Sequence, residues 1–249
     1  MEKRTDKNSY TILFAIVMVV VVGSILAFLA SALKPNIDEN KRLEKQQNIL
    51  YAMGVNDNEE GAVVMISTDK VADEFSKYIV KQLVIKGDNV RVDDEAYLID
   101  IKKEQAAAKD LSYKRQLPLF LGKKEGKIYY IVPIRGKGLW DAIWAFVAMD
   151  ENMVVQGIFI DHKGETPGLG ANINQRFFMD DFIGEPLLNS SNEFVGIAIS
   201  KSNADPINKD KTDNEVDAIA GATITGDGVA AMIISDLKVY SSYFIQLKK

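Results

Sequence analysis

Apolar residues are concentrated in one stretch near the start of the chain. No charged residue occurs from Tyr10 to Leu33, and Ile12 to Leu33 is an almost unbroken apolar run of 22 residues. At about 1.5 Å per residue, such a run forms roughly 33 Å of helix, which matches a hydrocarbon core of about 30 Å. The pattern therefore predicts a single transmembrane helix at residues 10–33.

A cleaved signal peptide is the alternative interpretation of this stretch. Lys3, Arg4 and Lys7 precede it, and Leu29-Ala30-Ser31-Ala32 has the small-x-small spacing that signal peptidase prefers. The run exceeds the about 7–15 apolar residues that are usual in signal peptides, so a retained anchor is favoured. Basic residues on the two flanks are nearly balanced. A short tail before a large domain favours residues 1–9 in the cytoplasm and the C-terminal domain outside it.

A charged amphipathic segment follows the apolar run. Residues 38–53 place Leu43, Ile49, Leu50 and Met53 at helical spacing among many charges, which predicts a juxtamembrane helix. We expect residues 34–60 to form this helix and a linker, and residues 61–249 to form the C-terminal domain.

Short strand-like runs and two helical patterns fill the C-terminal domain. Helical spacing covers Ser67–Val84 and Gly228–Leu247, and the turn residues Asp150–Asn152 separate two alternating runs, as in a hairpin. This order of elements predicts an α+β fold. The predicted strands are Val63–Ile66, Tyr97–Ile101, Ile128–Val132, Phe146–Met149, Val154–Ile160 and Phe194–Ser200.

Composition excludes several classes of chemistry. The 249 residues include no cysteine and one histidine, which excludes disulfides, Fe–S clusters, thiolate zinc sites and multi-histidine metal sites. If the protein carries out redox chemistry, an organic cofactor has to supply it. The formal net charge of −5 and the lack of a long basic run argue against nucleic acid as a partner.

One segment of small residues precedes the predicted C-terminal helix. Residues 217–228 read DAIAGATITGDG, and small residues allow another molecule to approach the backbone closely. A helix N-terminus favours negative charge, so a phosphate near Thr223 would be stabilised. The alternative is an ordinary glycine-rich loop in which Thr225 is the helix N-cap.

Two further segments carry candidate side chains. His162 precedes a turn containing Pro167 and Gly168, and a lone histidine is more often a hydrogen-bonded structural residue than a catalytic one. Trp140 and Trp144 are spaced to share one face of a helix or strand. Core packing is the default interpretation of this pair, and a stacking surface for a flat ligand is the alternative.

Together these segments resemble a family of covalent-FMN proteins. Asp217-x-x-x-Gly221-Ala222-Thr223 resembles the D-x-x-[S/T]-G-A-T flavinylation signature, with Ala220 where the signature has Ser or Thr. Residues 165–170 read ETPGLG, a segment of the same domain. With Gly136-x-Gly-Leu-Trp140 and the N-terminal helix, the whole chain is similar to the C subunits of the Na⁺-translocating NADH:ubiquinone reductases.

The resemblance implies a cofactor and the residues that hold it. FMN would be joined by a phosphodiester to the Thr223 hydroxyl, installed by a separate flavin transferase that uses FAD. The fold would be a transmembrane helix followed by an FMN-binding domain of mixed or antiparallel sheet with flanking helices. The other residues implied at the cofactor are Gly221, Ala222, Thr225, Asp217, Thr166, Leu169, Gly170 and Trp140.

The resemblance also implies a place in a larger assembly. The chain would relay electrons from NADH toward quinone in a multi-subunit complex of the bacterial inner membrane that exports Na⁺, with membrane lipid around its helix. No G-x-G-x-x-G follows a strand, so NADH would bind another subunit. Two alternatives stay open: the equivalent flavin subunit of an Rnf-type ferredoxin:NAD⁺ oxidoreductase, and a membrane-anchored adaptor without redox chemistry.

Overall fold

A computed structural model describes residues 8–202 and 204–247, and these residues divide into two compact units. The first unit extends to Arg42 and the second is Leu43–Lys249. Most of the predicted tail at residues 1–9 lies outside the described residues. The functional boundaries predicted after residues 33 and 60 stay predictions.

The first helix, α1, runs from Asn8 to Ala52 and contains Pro35. The predicted membrane and juxtamembrane helices are therefore parts of one helix. Its apolar side chains between Tyr10 and Leu33 are exposed, and by length and composition the helix can cross a membrane. An apolar surface exposed all round is typical of a helix that contacts lipid.

The second unit is built on a six-stranded sheet in which every neighbouring pair is antiparallel. The strand order is β2-β1-β3-β4-β5-β6, so most neighbours in sequence are neighbours in the sheet. The turn after Met149 joins β5 to β6 as the predicted hairpin. The strand bounds are β1 Ile79–Lys86, β2 Asn89–Val92, β3 Leu117–Lys124, β4 Lys127–Lys137, β5 Ala142–Met149 and β6 Val155–His162.

The remaining elements surround this sheet or follow it. Two short strands, β7 and β8, form a separate parallel pair. The α+β class, with an antiparallel sheet and flanking helices behind a long apolar helix, is confirmed. The bounds are α2 Val71–Tyr78, α3 Ile101–Ala107, α4 Arg176–Met179, β7 Ala198–Ser200, β8 Glu215–Asp217, α5 Thr223–Lys238 and α6 Ser241–Leu247.

Both faces of the sheet are covered by helices that approach closely. A Cβ at Gly157 would lie 2.2 Å from the Ala52 carbonyl oxygen, so the end of α1 rests directly on β6. On β4, a Cβ at Gly136 would lie 2.7 Å from Met232 Cβ, so α5 rests on this strand. Glycine at each contact removes the side chain that would hold the helix away from the sheet.

Two predicted strands are wrong, because side chains rather than a neighbouring strand satisfy backbone groups in these segments. In Val63–Ile66, the Val64 N–H donates to Asn58 Oδ1 (2.8 Å) and the Ile66 carbonyl accepts from Gln47 (2.6 Å). Tyr97–Ile101 is a turn of 3₁₀ helix followed by the start of α3. Asp100 caps α3 by accepting from Lys103 N–H (3.2 Å).

Three further segments differ in extent from the predictions. Ser67–Val84 is helical only in α2, because Ile79 turns to extended backbone and begins β1. Of Phe194–Ser200, only the last three residues form a strand, β7. Gly228–Leu247 lies within two helices, α5 and α6. The break between them lies at buried Tyr240, whose hydroxyl donates to the Pro118 carbonyl (3.0 Å).

A buried carboxyl group connects two loops beside the sheet. Glu185 is fully buried, accepts from Asn208 Nδ2 (2.8 Å), and has Lys211 Nζ at 3.9 Å. Its Oε2 has no hydrogen-bond partner among the described residues. Burial raises the pKa of Glu185 to about 7, and the Asn208 bond and the Lys211 charge only partly oppose this effect.

This raised pKa predicts a loss of stability as the pH rises. The folded chain binds the Glu185 proton more tightly than the unfolded chain, whose carboxyl has its ordinary pKa near 4.5. The stabilisation is therefore complete below that pH and is lost as the pH rises through about 7. We expect Glu185→Gln to reduce the decline in unfolding free energy between pH 5 and pH 8 by about 1–3 kcal/mol.

Urea unfolding of the full chain in detergent, followed by tryptophan fluorescence, measures this decline. Asp181, whose pKa burial raises to about 6, contributes a residual slope. Glu193→Gln, at an exposed position, is the control and should keep the wild-type slope. An identical pH slope in wild type and Glu185→Gln would contradict the prediction.

Candidate functional site

The glycine-rich segment ends at the first residue of α5. Thr223 begins the helix and is exposed, and Gly221 has a φ of +74°, a left-handed conformation that glycine adopts without strain. The helix therefore begins before Gly228, the residue at which the helical pattern of the sequence starts. The Gly226 N–H bonds the Ala222 carbonyl (2.9 Å), which leaves the N–H groups of residues 223–225 outside the ladder of the helix.

Thr225 is not the helix N-cap. It is the third residue of α5, is 1% exposed, and its hydroxyl donates to Glu165 Oε2 at 2.6 Å. A capping hydroxyl instead accepts from a backbone N–H of the first turn. The signature threonine and the one two residues after it thus differ, because Thr223 is exposed whereas Thr225 is buried and hydrogen-bonded.

Glu165 is the buried charge of the site. It is 5% exposed, and its Oε1 accepts from the Trp140 N–H (2.9 Å) and the Asp141 N–H (3.5 Å). Burial works against ionisation, but the bonds from Thr225 and from the backbone N–H groups outweigh it, so the pKa of Glu165 lies below its ordinary value. Glu165 is therefore a carboxylate at neutral pH.

Two glycines allow this carboxylate to fit between three segments. A Cβ at Gly138 would lie 2.5 Å from Glu165 Oε1. A Cβ at Gly170 would lie 2.6 Å from Glu165 Oε2 and 2.5 Å from Thr225 Oγ1. Neither distance is compatible with a side chain, so glycine is required where the loops approach the carboxylate.

The two tryptophans do not behave as a pair. Trp140 lies in the turn before β5 and is 67% exposed, so the core-packing interpretation is wrong for this residue. Its indole Nε1–H donates to Thr166 Oγ1 (3.1 Å). Trp144 is half-buried within β5, opposite Arg135 and Asp161 on the neighbouring strands.

Leu169 brings the ETPGLG segment to the start of α5. A Cβ at Gly221 would lie 2.9 Å from Leu169 Cδ2, so glycine is what lets this leucine approach the backbone before Thr223. Thr166 and Leu169 are exposed, whereas Gly170 is buried. The large apolar side chains exposed on these segments are Leu139, Trp140, Leu169 and Ile224.

Asp217 and His162 have structural partners. Asp217 ends β8 and its Oδ2 accepts from the Asp205 N–H (2.9 Å), so it shapes the loop before β8. His162 Nδ1 accepts from the Glu165 N–H (3.1 Å), as expected for a hydrogen-bonded structural histidine. No group of three or more acidic or histidine side chains suited to a metal ion is found within residues 8–202 and 204–247.

Sequence reasoning missed Glu165 and Gly138 as site residues. In the sequence, Glu165 is distinguished only by its place in the ETPGLG segment. Only the fold brings Thr225, 60 positions later, within hydrogen-bond distance.

Comparison with known proteins places this geometry in a family context. A model of the FMN-binding domain matches residues 138–238, which include Trp140, Glu165 and the start of α5. The C subunit of the Na⁺-translocating NADH-quinone reductase of Haemophilus ducreyi is 31% identical over 90% of this chain and 87% of the relative. The same subunit of Pseudomonas aeruginosa is 31% identical over 90% and 89%.

Solved structures give the same result. The crystal structure of this subunit from Parabacteroides distasonis matches with a TM-score of 0.70 and 29% identity, over 85% of this chain and 96% of that one. NqrC of Shewanella oneidensis matches with a TM-score of 0.65 and 25% identity, over 84% and 98%. The similarity thus covers most of the chain in both sequence and fold.

The close packing at Gly170 predicts a destabilising substitution. In Gly170→Ala the new Cβ would displace either the Thr225 hydroxyl or the Glu165 carboxylate, and overpacking of this kind costs about 1–3 kcal/mol. Gly164→Ala is the matched control, because its Cβ would meet no atom closer than Asp141 Cβ at 3.9 Å. The melting temperature, measured by tryptophan fluorescence during thermal unfolding, should be lower than that of the wild type in Gly170→Ala but not in Gly164→Ala. Equal melting temperatures would show that the site is not tightly packed.

Proposed function

Because the chain belongs to the family of C subunits of the Na⁺-translocating NADH:quinone reductases, we propose that it is the flavin-bearing electron relay of such an enzyme. The observation that supports this function is exposed Thr223 at the first residue of a 16-residue helix. Glu165 connects this helix to the turn that carries exposed Trp140, and exposed Leu169 packs against Gly221. FMN has a phosphate at one end and a flat aromatic ring at the other, joined by a ribityl chain, and this arrangement suits both ends.

The start of α5 supplies the phosphate end of the site. The N–H groups of residues 223–225 lie outside the helical ladder, and the helix dipole places partial positive charge there. A phosphodiester on Thr223 carries one negative charge, which this end of the helix stabilises. The absence of a side chain at Gly221 lets Leu169 lie directly beside the backbone before the acceptor.

Exposure and hydrogen bonding indicate that Thr223, and not Thr225, is the flavin acceptor. In the proposed modification, the Thr223 oxygen attacks the phosphorus on the riboflavin side of FAD. The bond from that phosphorus to the bridging oxygen breaks, AMP leaves, and the hydroxyl proton is released. Thr225 cannot act as the acceptor in the folded chain, because its proton is donated to Glu165 and its side chain is buried.

The remaining residues surround the ring system. FMN, once attached, accepts electrons and passes them on. Attachment through the phosphate leaves the ring chemically unaltered, so the surroundings of the ring set its potential. Trp140, Thr166 and Leu169 are the exposed side chains that would line it, with Gly170 behind them. A tether also keeps the flavin at high local concentration when free FMN is scarce.

The function requires partners that this chain does not contain. A flavin transferase would install the cofactor, and other subunits would bind NADH, reduce quinone and move Na⁺. The curated relatives are quinone reductase subunits, which favours this complex over the Rnf-type alternative. Flavin covalently bound to the purified chain would distinguish it from a redox-inactive adaptor. We place α1 in the bacterial inner membrane and the C-terminal domain on its outer side.

Thr223→Val is predicted to abolish flavin attachment. Expressed with a flavin transferase, the wild-type chain should gain the mass of FMN less one water and fluoresce after denaturing electrophoresis. Thr223→Val should do neither, because the nearby Thr225 hydroxyl is buried and bonded to Glu165. Thr68→Val, at an exposed position far along the chain, is the control and should stay flavinylated. Fluorescence retained in Thr223→Val, or an unmodified wild-type mass, would refute the attachment.

The proposed orientation can be tested because the chain has no cysteine. Ser191 lies in an exposed turn of the C-terminal domain, and Ser9 lies near the start of α1. A membrane-impermeant maleimide should label Ser191→Cys in cells with a permeabilised outer membrane. It should label Ser9→Cys only after the inner membrane is broken. The opposite pattern would place the domain in the cytoplasm.

A further inference from the structure

Two consecutive residues hold Trp140 at two points. Its backbone N–H donates to Glu165 Oε1 (2.9 Å), and its indole N–H donates to Thr166 Oγ1 (3.1 Å). The side chain is 67% exposed, so packing against the core does not fix its orientation. The bond to Glu165 fixes the backbone and the bond to Thr166 fixes the ring, so together they define the plane of an otherwise exposed indole.

The same carboxylate is also bonded to the acceptor helix. Glu165 Oε2 accepts from Thr225 Oγ1 at 2.6 Å, two residues after Thr223. One side chain therefore connects the turn that carries Trp140 with the first turn of α5. Because the carboxylate is ionised and 5% exposed, losing either partner leaves a buried charge poorly compensated.

We infer that Glu165 and Thr166 are positioning residues that fix the plane of Trp140 relative to the Thr223 hydroxyl. The indole is thereby a preoriented surface for a flat aromatic ring tethered through a phosphate. Only the effect of this orientation on a bound flavin rests on the proposed function. The orientation of Trp140 itself is a property of the chain without cofactor.

The first arm of the test uses the full chain without transferase, in detergent. In Glu165→Ala, the Trp140 amide hydrogen should exchange about ten-fold faster or more, because a bond to a charged acceptor is lost. Glu165→Gln keeps one acceptor oxygen and should partly restore the slow exchange. Glu193→Ala, at an exposed position, should match wild type. Wild-type exchange in Glu165→Ala would overturn the inference.

Thr166→Val separates the ring contact from the backbone contact. In a Trp144→Phe background, the fluorescence anisotropy of Trp140 should fall in Thr166→Val while its amide exchange stays at the wild-type rate. If Glu165→Ala loses exchange protection throughout the sheet, that variant has unfolded more widely. The test without cofactor is then decided by Thr166→Val alone. Unchanged anisotropy in Thr166→Val would contradict a fixed indole plane.

The second arm uses the chain loaded by a flavin transferase. Thr166→Val should carry FMN, as shown by its mass, but lose most of the visible circular dichroism that a flavin acquires in a fixed asymmetric site. A wild-type dichroism band in the loaded variant would overturn the positioning role. If the wild-type chain takes up no flavin, the proposed function fails, and the amide exchange and anisotropy still decide whether Trp140 is fixed.

Discussion

Glu165 loses almost all contact with water, and its charge persists because hydrogen bonds from neighbouring segments satisfy it. The turn before β5 donates backbone N–H groups, the first turn of α5 donates the Thr225 hydroxyl, and the loop after β6 carries the carboxylate itself. An ionised carboxylate in such a place is costly unless its oxygens are satisfied. The need to satisfy it therefore fixes the relative positions of the segments that form the site.

The segments of the site also have to approach one another closely, and glycine residues allow this approach. The carboxylate fits only because Gly138 and Gly170 have no Cβ, and α5 rests on β4 only because Gly136 has none. The buried charge thus connects the segments that carry exposed Thr223 and exposed Trp140. The proposed site would therefore be ordered during folding rather than on binding, which lowers the entropy cost of binding.

The sequence was informative where a pattern is local and continuous. The apolar run and the β5–β6 hairpin follow from neighbouring residues alone. Predictions failed where distant residues decide the outcome. Ile79 leaves the helical pattern because β1 pairs with β3, and Val63–Ile66 is no strand because Asn58 and Gln47 satisfy its backbone. The role of Glu165 depends on Thr225, 60 positions away, which no local pattern reveals.

In the folded chain Thr223 is exposed, whereas the Thr225 hydroxyl is buried and bonded to Glu165. The proposed attachment depends on this difference. Tandem mass spectrometry of the flavin-fluorescent peptide from the wild-type chain tests it most directly. We expect fragment ions that carry the flavin mass on Thr223 and leave Thr225 unmodified. A flavin mass on Thr225, or on both residues, would contradict the proposed choice of acceptor.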